Sequence, residues 1–296
     1  MIIAGHTLGT PGLNLEQALR LFKVAGLDAA EVIYQDGYPA AIAPSDWKSA
    51  QSAASIASAE GIPIVALTPY TTAINSIDAT TWQRGIDEFR GCIEAAYEVG
   101  ATRVRVYAGE WQPGDAGHAA HWEQLRTALK LLALDAGAAN VMLCVENHFG
   151  TMTQTAADSA RLVTEVNSPA VRVLYDQANL TFTHDEEWQE AFEVQGDLIG
   201  HVHVKDLVFK DPHAPFHASG TARVEADERS VRSRVVGDGV IPWQNIIEEL
   251  VRRGYDDVLT LEYEYRWHPQ DLPEPAIGFS ESARAIRSIL STIVRI

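Results

Sequence analysis

The sequence alternates between short apolar runs and longer amphipathic stretches along most of its length. The short runs are rich in β-branched residues, and the stretches between them, of roughly 10 to 20 residues, have helical periodicity. This alternation is typical of βα units whose strands form a parallel sheet. Eight such units predict an α/β fold of the (β/α)8 TIM-barrel class. The predicted strands span 1–6, 29–33, 62–67, 102–107, 141–146, 171–176, 199–204 and 258–263.

Residues with strong capping preferences mark the ends of the helices between these strands. Asn14 and Ser45 precede two helical stretches, and Pro242 opens a third. Gly61 and Gly254 follow helical stretches, where glycine commonly ends a helix. These capping residues support the count of eight βα units.

The 296 residues suit one α/β barrel, and no linker or low-complexity segment divides them. We therefore expect a single TIM-barrel domain over residues 1–296. The segment 207–236 follows the seventh strand and has no clean periodicity. A segment of this length at the catalytic face of a barrel is expected to be a lid or a subunit-interface loop.

The net charge indicates which classes of partner the protein can bind. Forty acidic against 23 basic residues give a net charge of -17, which would repel a nucleic-acid backbone. The amino terminus lacks a basic leader, and no apolar run approaches the length of a membrane span. We expect a cytoplasmic protein, with a small-molecule substrate and no nucleic-acid or membrane partner, that forms a homo-oligomer. Cys92 and Cys144 are expected to be reduced, buried thiols.

Candidate metal ligands stand at the ends of the last four predicted strands, where a barrel of this class carries its active site. Three carboxylates meeting at this mouth would repel one another unless a cation held them. Oxygen ligands with one imidazole predict one divalent ion, with Mn²⁺ as first choice and Mg²⁺, Co²⁺ or Zn²⁺ as alternatives. The four residues are Glu146, Asp176, His203 and Glu262.

Several segments resemble the xylose-isomerase-like TIM barrels, a group that includes ketose 3-epimerases, hydroxypyruvate isomerase, inosose dehydratase and the endonuclease IV relatives. The resemblance covers essentially the whole chain and implies the same four metal ligands. The substrate stays open, because related barrels use this site for different reactions. The segments are "CVENH", "YDQAN", "GHVHVKD", "VGDGVIPW" and "GYDDVLTLEYE".

The position of two glutamates predicts the chemistry. Glu146 and Glu262 lie on strands three apart and approach a bound ketone from opposite sides. Either can move the proton beside the carbonyl through a metal-stabilised enediolate. Because three carboxylates against one divalent ion leave a formal charge of about -1, one glutamate is expected to stay basic. We therefore predict an isomerase or epimerase that acts on a keto-sugar or related polyol ketone.

Other residues near the strand ends keep alternatives open. His148 is a candidate catalytic base, or else a residue that orients a metal ligand. With a histidine base, the site would suit a lyase, either an inosose dehydratase-like enzyme or one that eliminates from an oxidised glycoside. A sugar-binding barrel without catalysis is the alternative of another class. Candidate substrate contacts are His6, Lys205, Glu110, Trp111 and Asn179.

Two positions depart from the ketose 3-epimerase pattern. Asn179 stands where those enzymes usually carry a histidine, and Phe209 stands where they usually carry an arginine. Free ketohexoses are therefore expected to be poor substrates. Three further positions are predicted to face the barrel interior as a paired structural network: Glu31, Arg105 and Arg172. His201 is predicted to lie in the core or to orient a metal ligand.

Overall fold

A computed structural model of the chain describes residues 1–211, 213 and 229–293. Strands and helices alternate through these residues. The strands are β1 Ile2–His6, β2 Ala29–Tyr34, β3 Ala41–Ile42, β4 Ile64–Pro69, β5 Arg103–Val106, β6 Met142–Glu146, β7 Val171–Asp176, β8 Ile199–Val204, β9 Asp206–Phe209, β10 Val231–Arg234 and β11 Val258–Leu261. The helices are α1 Leu15–Val24, α2 Ser49–Glu60, α3 Ala79–Val99, α4 Asp115–Ala138, α5 Ala156–Val166, α6 Gln177–His184, α7 Trp188–Gln195, α8 Trp243–Arg252 and α9 Pro275–Thr292.

Eight parallel strands form a closed barrel. The hydrogen-bonded neighbours run β1, β11, β8, β7, β6, β5, β4 and β2, and β2 pairs with β1 to close the ring. The two-residue strand β3 adds to β2 outside this ring. The predicted (β/α)8 TIM barrel is confirmed. Several boundaries differ from the prediction, most of them by one residue. The larger shifts are at β4, which spans Ile64–Pro69, and at β11, which ends at Leu261, so that Glu262 follows the strand.

The predicted helix starts were right at Asn14 and wrong at Ser45. The Asn14 side chain accepts from the Gln17 backbone N–H at 2.9 Å and forms a capping box at the start of α1. Ser45 instead donates its hydroxyl to Asp36 at 2.5 Å, and α2 begins four residues later. Gly61 ends α2 in the left-handed conformation, as expected.

The helices pack around the barrel and bury the core between the two layers. Phe22 of α1 meets Phe279 of α9 edge to face, with ring centroids 4.9 Å apart, and both side chains are fully buried. This contact joins the first and last helices of the barrel. Cys92 and Cys144 are buried free thiols, as predicted. Among the described helices, none combines the length and apolarity needed to cross a membrane.

The segment 207–236 begins and ends in ordered structure. Strands β9 and β10 pair antiparallel, and the buried carboxylate of Asp206 organises the turn after them. It accepts from the backbone N–H groups of Gly237 at 2.9 Å and Ile241 at 3.1 Å. Residues 212 and 214–228 of the predicted lid lie outside the described residues. The hairpin base itself is an element that the sequence analysis did not predict.

Candidate active site

The four predicted ligands meet at the carboxyl ends of neighbouring strands. Glu146 ends β6, Asp176 ends β7, His203 lies near the end of β8, and Glu262 directly follows β11. One nitrogen or oxygen of each side chain lies within 4.8 Å of those of the others. All four side chains are buried. We call these four residues the carboxylate–imidazole cluster.

The orientation of His203 is set by Glu31. His203 Nε2 donates to Glu31 Oε1 at 3.1 Å, so that the neutral ring has its lone pair on Nδ1. Nδ1 lies 3.5 Å from Glu146 Oε1 and 3.5 Å from Glu262 Oε1, and it has no hydrogen-bond partner. A carboxylate that holds one ring nitrogen and frees the other for a ligand is a common arrangement at metal sites.

Asp176 also turns an unpaired atom toward the cluster. Its Oδ1 accepts from the Asn179 backbone N–H at 2.9 Å and caps α6. Its buried Oδ2 has no hydrogen bond; Lys205 Nζ is 3.0 Å away but not aligned to donate. Buried polar atoms without partners are rare and call for an explanation. Two such atoms in a set of three carboxylates and one imidazole fit a divalent cation.

A hydrogen-bonded network lies behind the cluster. Glu31 also accepts from His201 Nε2 at 2.8 Å and from Thr68 Oγ1 at 2.5 Å. His6 Nε2 contacts Thr68 Oγ1 at 3.1 Å, and His6 Nδ1 accepts from the Leu8 backbone N–H at 2.9 Å. Burial lowers the pKa of His6 to about 4. The structure thus places His6, a predicted substrate contact, in this buried network with both ring nitrogens engaged.

Two buried cations contact the glutamates of the cluster. Arg105 Nε donates to Glu146 Oε2 at 2.5 Å, and its guanidinium lies over Tyr107. Burial alone would raise the pKa of Glu146, but Arg105 together with His148 and His203 outweighs burial and holds this pKa at about 2. Lys205 Nζ donates to Glu262 Oε2 at 2.6 Å. Burial is likewise outweighed at Glu262, where Lys205 and His203 together keep the carboxyl pKa well below its usual range.

These contacts correct the charge count made from the sequence. That count set three carboxylates against one divalent ion and omitted Arg105 and Lys205. Both glutamates have lowered pKa values in the metal-free protein, and the expectation that one of them stays basic beside a bound ion stays a prediction. Lys205 itself remains an ammonium, because its carboxylate neighbours outweigh the burial that would lower its pKa. It also lies 3.5 Å from Glu264 Oε1.

His148 and Asn179 lie beside Glu146 in different ways. His148 Nδ1 donates to the Phe149 carbonyl at 2.6 Å, which leaves the lone pair on Nε2, and its ring stacks on the Phe149 ring at 4.2 Å. Burial lowers the pKa of His148 to about 4, so the ring is neutral. Asn179 Nδ2 lies 3.4 Å from Glu146 Oε1 and donates to the Asn147 carbonyl at 3.1 Å.

Glu110 and Trp111 lie in the loop between β5 and α4. Glu110 Oε1 accepts from Thr72 Oγ1 at 3.2 Å. The Trp111 indole is 42% exposed and meets His118 edge to face at 5.0 Å. The structure thus places these predicted substrate contacts at the surface, with partners outside the carboxylate–imidazole cluster.

Fold and site together define a (β/α)8 barrel with a carboxylate–imidazole cluster at the carboxyl ends of its strands. Residues 19–289 match the xylose isomerase-like TIM barrel family, and the chain belongs to that family.

Inosose dehydratases are among the proteins that the chain resembles in sequence. The chain is 31% identical to the inosose dehydratase of Lacticaseibacillus casei over 145 residues, which cover 48% of this chain and 47% of that protein. It is 26% identical to the inosose dehydratase of Serratia proteamaculans over 204 residues, which cover 68% and 64% of the two proteins. By the first of these comparisons, the chain spans about half the length of the curated relatives it matches.

Solved structures with the same fold are more distant in sequence. The IOLI protein with a bound zinc atom superposes with a TM-score of 0.78 at 16% identity, over 100% of both chains. The 3-keto-D-glucoside 4-epimerase YcjR from E. coli superposes with a TM-score of 0.72 at 18% identity, over 97% of this chain and 99% of that one. At these identities the likeness establishes the fold.

Proposed function

We propose that this protein is a divalent-metal-dependent lyase that eliminates water from a keto-sugar or related polyol ketone. The observation that carries the proposal is the ammonium of Lys205 lying 2.6 Å from Glu262 Oε2 at the edge of the cluster. A carboxylate that can accept a proton and an ammonium that can donate one are thus placed side by side. The inosose dehydratases among the sequence relatives support elimination of water as the reaction.

The four cluster residues would hold the cation, with His203 binding through Nδ1 and Asp176 through Oδ2. A divalent ion bound there would polarise a substrate carbonyl and make the neighbouring C–H bond more acidic. The donor set favours Mn²⁺, with Mg²⁺, Co²⁺ or Zn²⁺ as alternatives.

The two glutamates are not equivalent. Glu146 has one oxygen bound by Arg105, and its other oxygen faces His203 and Asn179. It therefore suits a fixed ligand rather than a base. Glu262 has one oxygen toward the cluster and the other toward Lys205. We assign the base to Glu262 because the ammonium of Lys205 can exchange a proton, whereas the guanidinium of Arg105 beside Glu146 cannot.

Glu262 and Lys205 are the two side chains that carry out the proton transfers of the elimination. Glu262 Oε2 takes the proton from the carbon beside the substrate carbonyl. The C–O bond on the next carbon breaks, Lys205 protonates the departing oxygen, and water leaves behind a double bond conjugated with the carbonyl. The proton on Glu262 passes to Lys205 across their 2.6 Å contact, which restores both charges.

An isomerase or epimerase is the second candidate. Glu146 and Glu262 each place an oxygen 3.5 Å from His203 Nδ1, and this arrangement favours proton transfer on two sides of a bound ketone. Each glutamate has its other oxygen held by a cation, Arg105 at Glu146 and Lys205 at Glu262. Return of the proton to a neighbouring carbon by Glu262 alone would give an isomerase.

The test begins with metal content and then follows the reaction by NMR in heavy water. About one divalent ion per chain is expected, and Glu146→Gln and Asp176→Asn should each weaken its binding. Mn²⁺-loaded protein would be given an inosose, a free ketohexose and a 3-keto-glycoside. A new vinylic signal identifies elimination, and deuterium at carbon without elimination identifies the isomerase or epimerase. Sugar binding without deuterium incorporation would contradict both and identify a binding protein.

A further inference from the structure

A small cavity lies beyond Lys205, between the end of β11 and the β9–β10 hairpin. Its volume is about 30 Å³, which admits one or two water molecules or a comparable polar group. Lys205 lines this cavity and also contacts the carboxylate–imidazole cluster, so the two sites adjoin. Other side chains in the cavity wall are Phe149, Phe182, Arg229, Glu264 and His268.

The charges in this wall are balanced. Arg229 Nη1 pairs with Asp271 Oδ2 at 2.9 Å, and both side chains are buried. Lys205 is surrounded by carboxylates, Glu264 among them. The Asp206 carboxylate also lines the cavity, and hydrogen bonds from backbone N–H groups already stabilise its negative charge. The described wall therefore has no surplus positive charge to offset a phosphate group.

His268 is the residue in the wall whose hydrogen bonding is incomplete. Its side chain is 7% exposed, and its ring makes no hydrogen bond to any part of the chain that the structure describes. Burial lowers the pKa of His268, so the ring is neutral and offers one donor and one acceptor. A mostly buried imidazole whose ring bonds to no described residue, at a cavity of this size, is suited to one hydroxyl group.

An apolar surface faces these polar groups. The rings of Phe149 and Phe182 meet edge to face, with centroids 5.6 Å apart. Aromatic rings pack well against the C–H face of a carbohydrate, while a few placed polar groups orient its hydroxyls.

We infer that this cavity is a subsite for a neutral, hydroxyl-bearing end of the substrate, that His268 recognises the hydroxyl, and that the substrate is unphosphorylated. The inference rests on the proposed function in one respect, since the reacting end of the substrate must lie at the carboxylate–imidazole cluster. A ligand held there reaches the cavity by passing Lys205, which belongs to both.

Binding of unreactive polyols tests the subsite without any need for turnover. Mn²⁺-loaded protein is titrated by calorimetry with myo-inositol and D-sorbitol, each beside its monophosphate. The free polyols should bind at least about tenfold more tightly than their phosphates. His268→Leu should weaken polyol binding about two- to tenfold, as expected for one lost hydrogen bond. His268→Asn, which keeps a donor and an acceptor, should restore part of the affinity.

The matched control is Gln270→Ala, an exposed position in the same loop, which should bind polyols as the wild type does. Unchanged Mn²⁺ affinity and melting temperature in His268→Leu would separate the subsite from a folding defect. The inference is overturned if the phosphates bind as well as the free polyols, if His268→Leu binds them normally, or if no polyol binds. If no ketone reacts but polyol binding still depends on His268, the proposed reaction fails and the subsite stands.

Discussion

Replacement of Glu31 by glutamine tests how the barrel orients the metal ligand His203. The Glu31 carboxylate lies fully buried and accepts from His203, His201 and Thr68. An amide has one oxygen and one NH₂ group, so it cannot accept from all three. If the NH₂ group faces His203, the imidazole must move its proton to Nδ1, which is the atom that faces the cluster. If the NH₂ group faces His201, His203 keeps its hydrogen bond but loses the charged acceptor.

Either orientation should weaken metal binding. Loss of the outer partner of a metal-ligating histidine typically costs 10- to 100-fold in metal affinity, or about 1.4 to 2.7 kcal/mol. The metal-free protein should also lose about 1.5 to 3 kcal/mol of unfolding free energy, the scale of one hydrogen bond to a charged group. Thr68→Val removes one hydrogen bond to Glu31 and leaves both histidines their acceptor, so its effect on metal affinity should be smaller.

The assay is calorimetric titration of metal-free Glu31→Gln with Mn²⁺, with urea unfolding of the same sample. Nitrogen NMR of metal-free protein reports which ring nitrogen of His203 holds the proton. Glu16→Gln is the matched control, because Glu16 is an exposed residue of α1 paired with Arg20. Wild-type Mn²⁺ affinity in Glu31→Gln would refute the argument that this carboxylate prepares His203 to bind a metal.

Three further predictions follow from the same contacts. Glu262→Gln should abolish product formation while a Mn²⁺ ion stays bound. His148→Ala should lower kcat by less than about tenfold. A loss of kcat near 100-fold in His148→Ala with full metal would make His148 the base instead. Burial raises the pKa of Asp176 to about 7 against the opposing effect of Lys205, so a proton must leave before this carboxylate binds a metal. Mn²⁺ affinity should therefore fall as the pH drops below about 7. A Mn²⁺ affinity that does not change between about pH 6 and 8 would contradict this. Phe22→Ala should lower the free energy of unfolding by about 3 to 5 kcal/mol in urea titration, and a loss under about 1 kcal/mol would show that its packing on α9 matters little.

The barrel and the identity of the cluster could both be predicted from the sequence. The alternation of strand and helix is a local property, because hydrophobic periodicity depends on neighbouring residues. Once eight strands are recognised, the fold itself brings their carboxyl ends together. The residues at those ends, such as Glu146 and Asp176, could therefore be proposed as a group before any coordinates were known.

Local signals were less reliable where two of them compete. Ser45 is a good helix-capping residue, yet its hydroxyl bonds to Asp36 and the helix begins later. The hairpin of β9 and β10 was missed because each strand has only 4 residues. The turn that follows β10 depends on Asp206, whose carboxylate bonds to backbone groups about 30 residues away along the chain, such as Gly237.

The sequence by itself determined the class of fold, the end of the barrel at which the cluster residues meet and the types of ligand atom that they offer. The tertiary structure decided which atoms face the centre and which charges oppose them. Glu31 reaches His201 across 170 residues of chain, and Arg105 reaches Glu146 across 41. No periodic pattern links such positions, because the contacts arise from the closure of the barrel. These distant partners decide which ring nitrogen of His203 faces the cluster and which cation contacts Glu146.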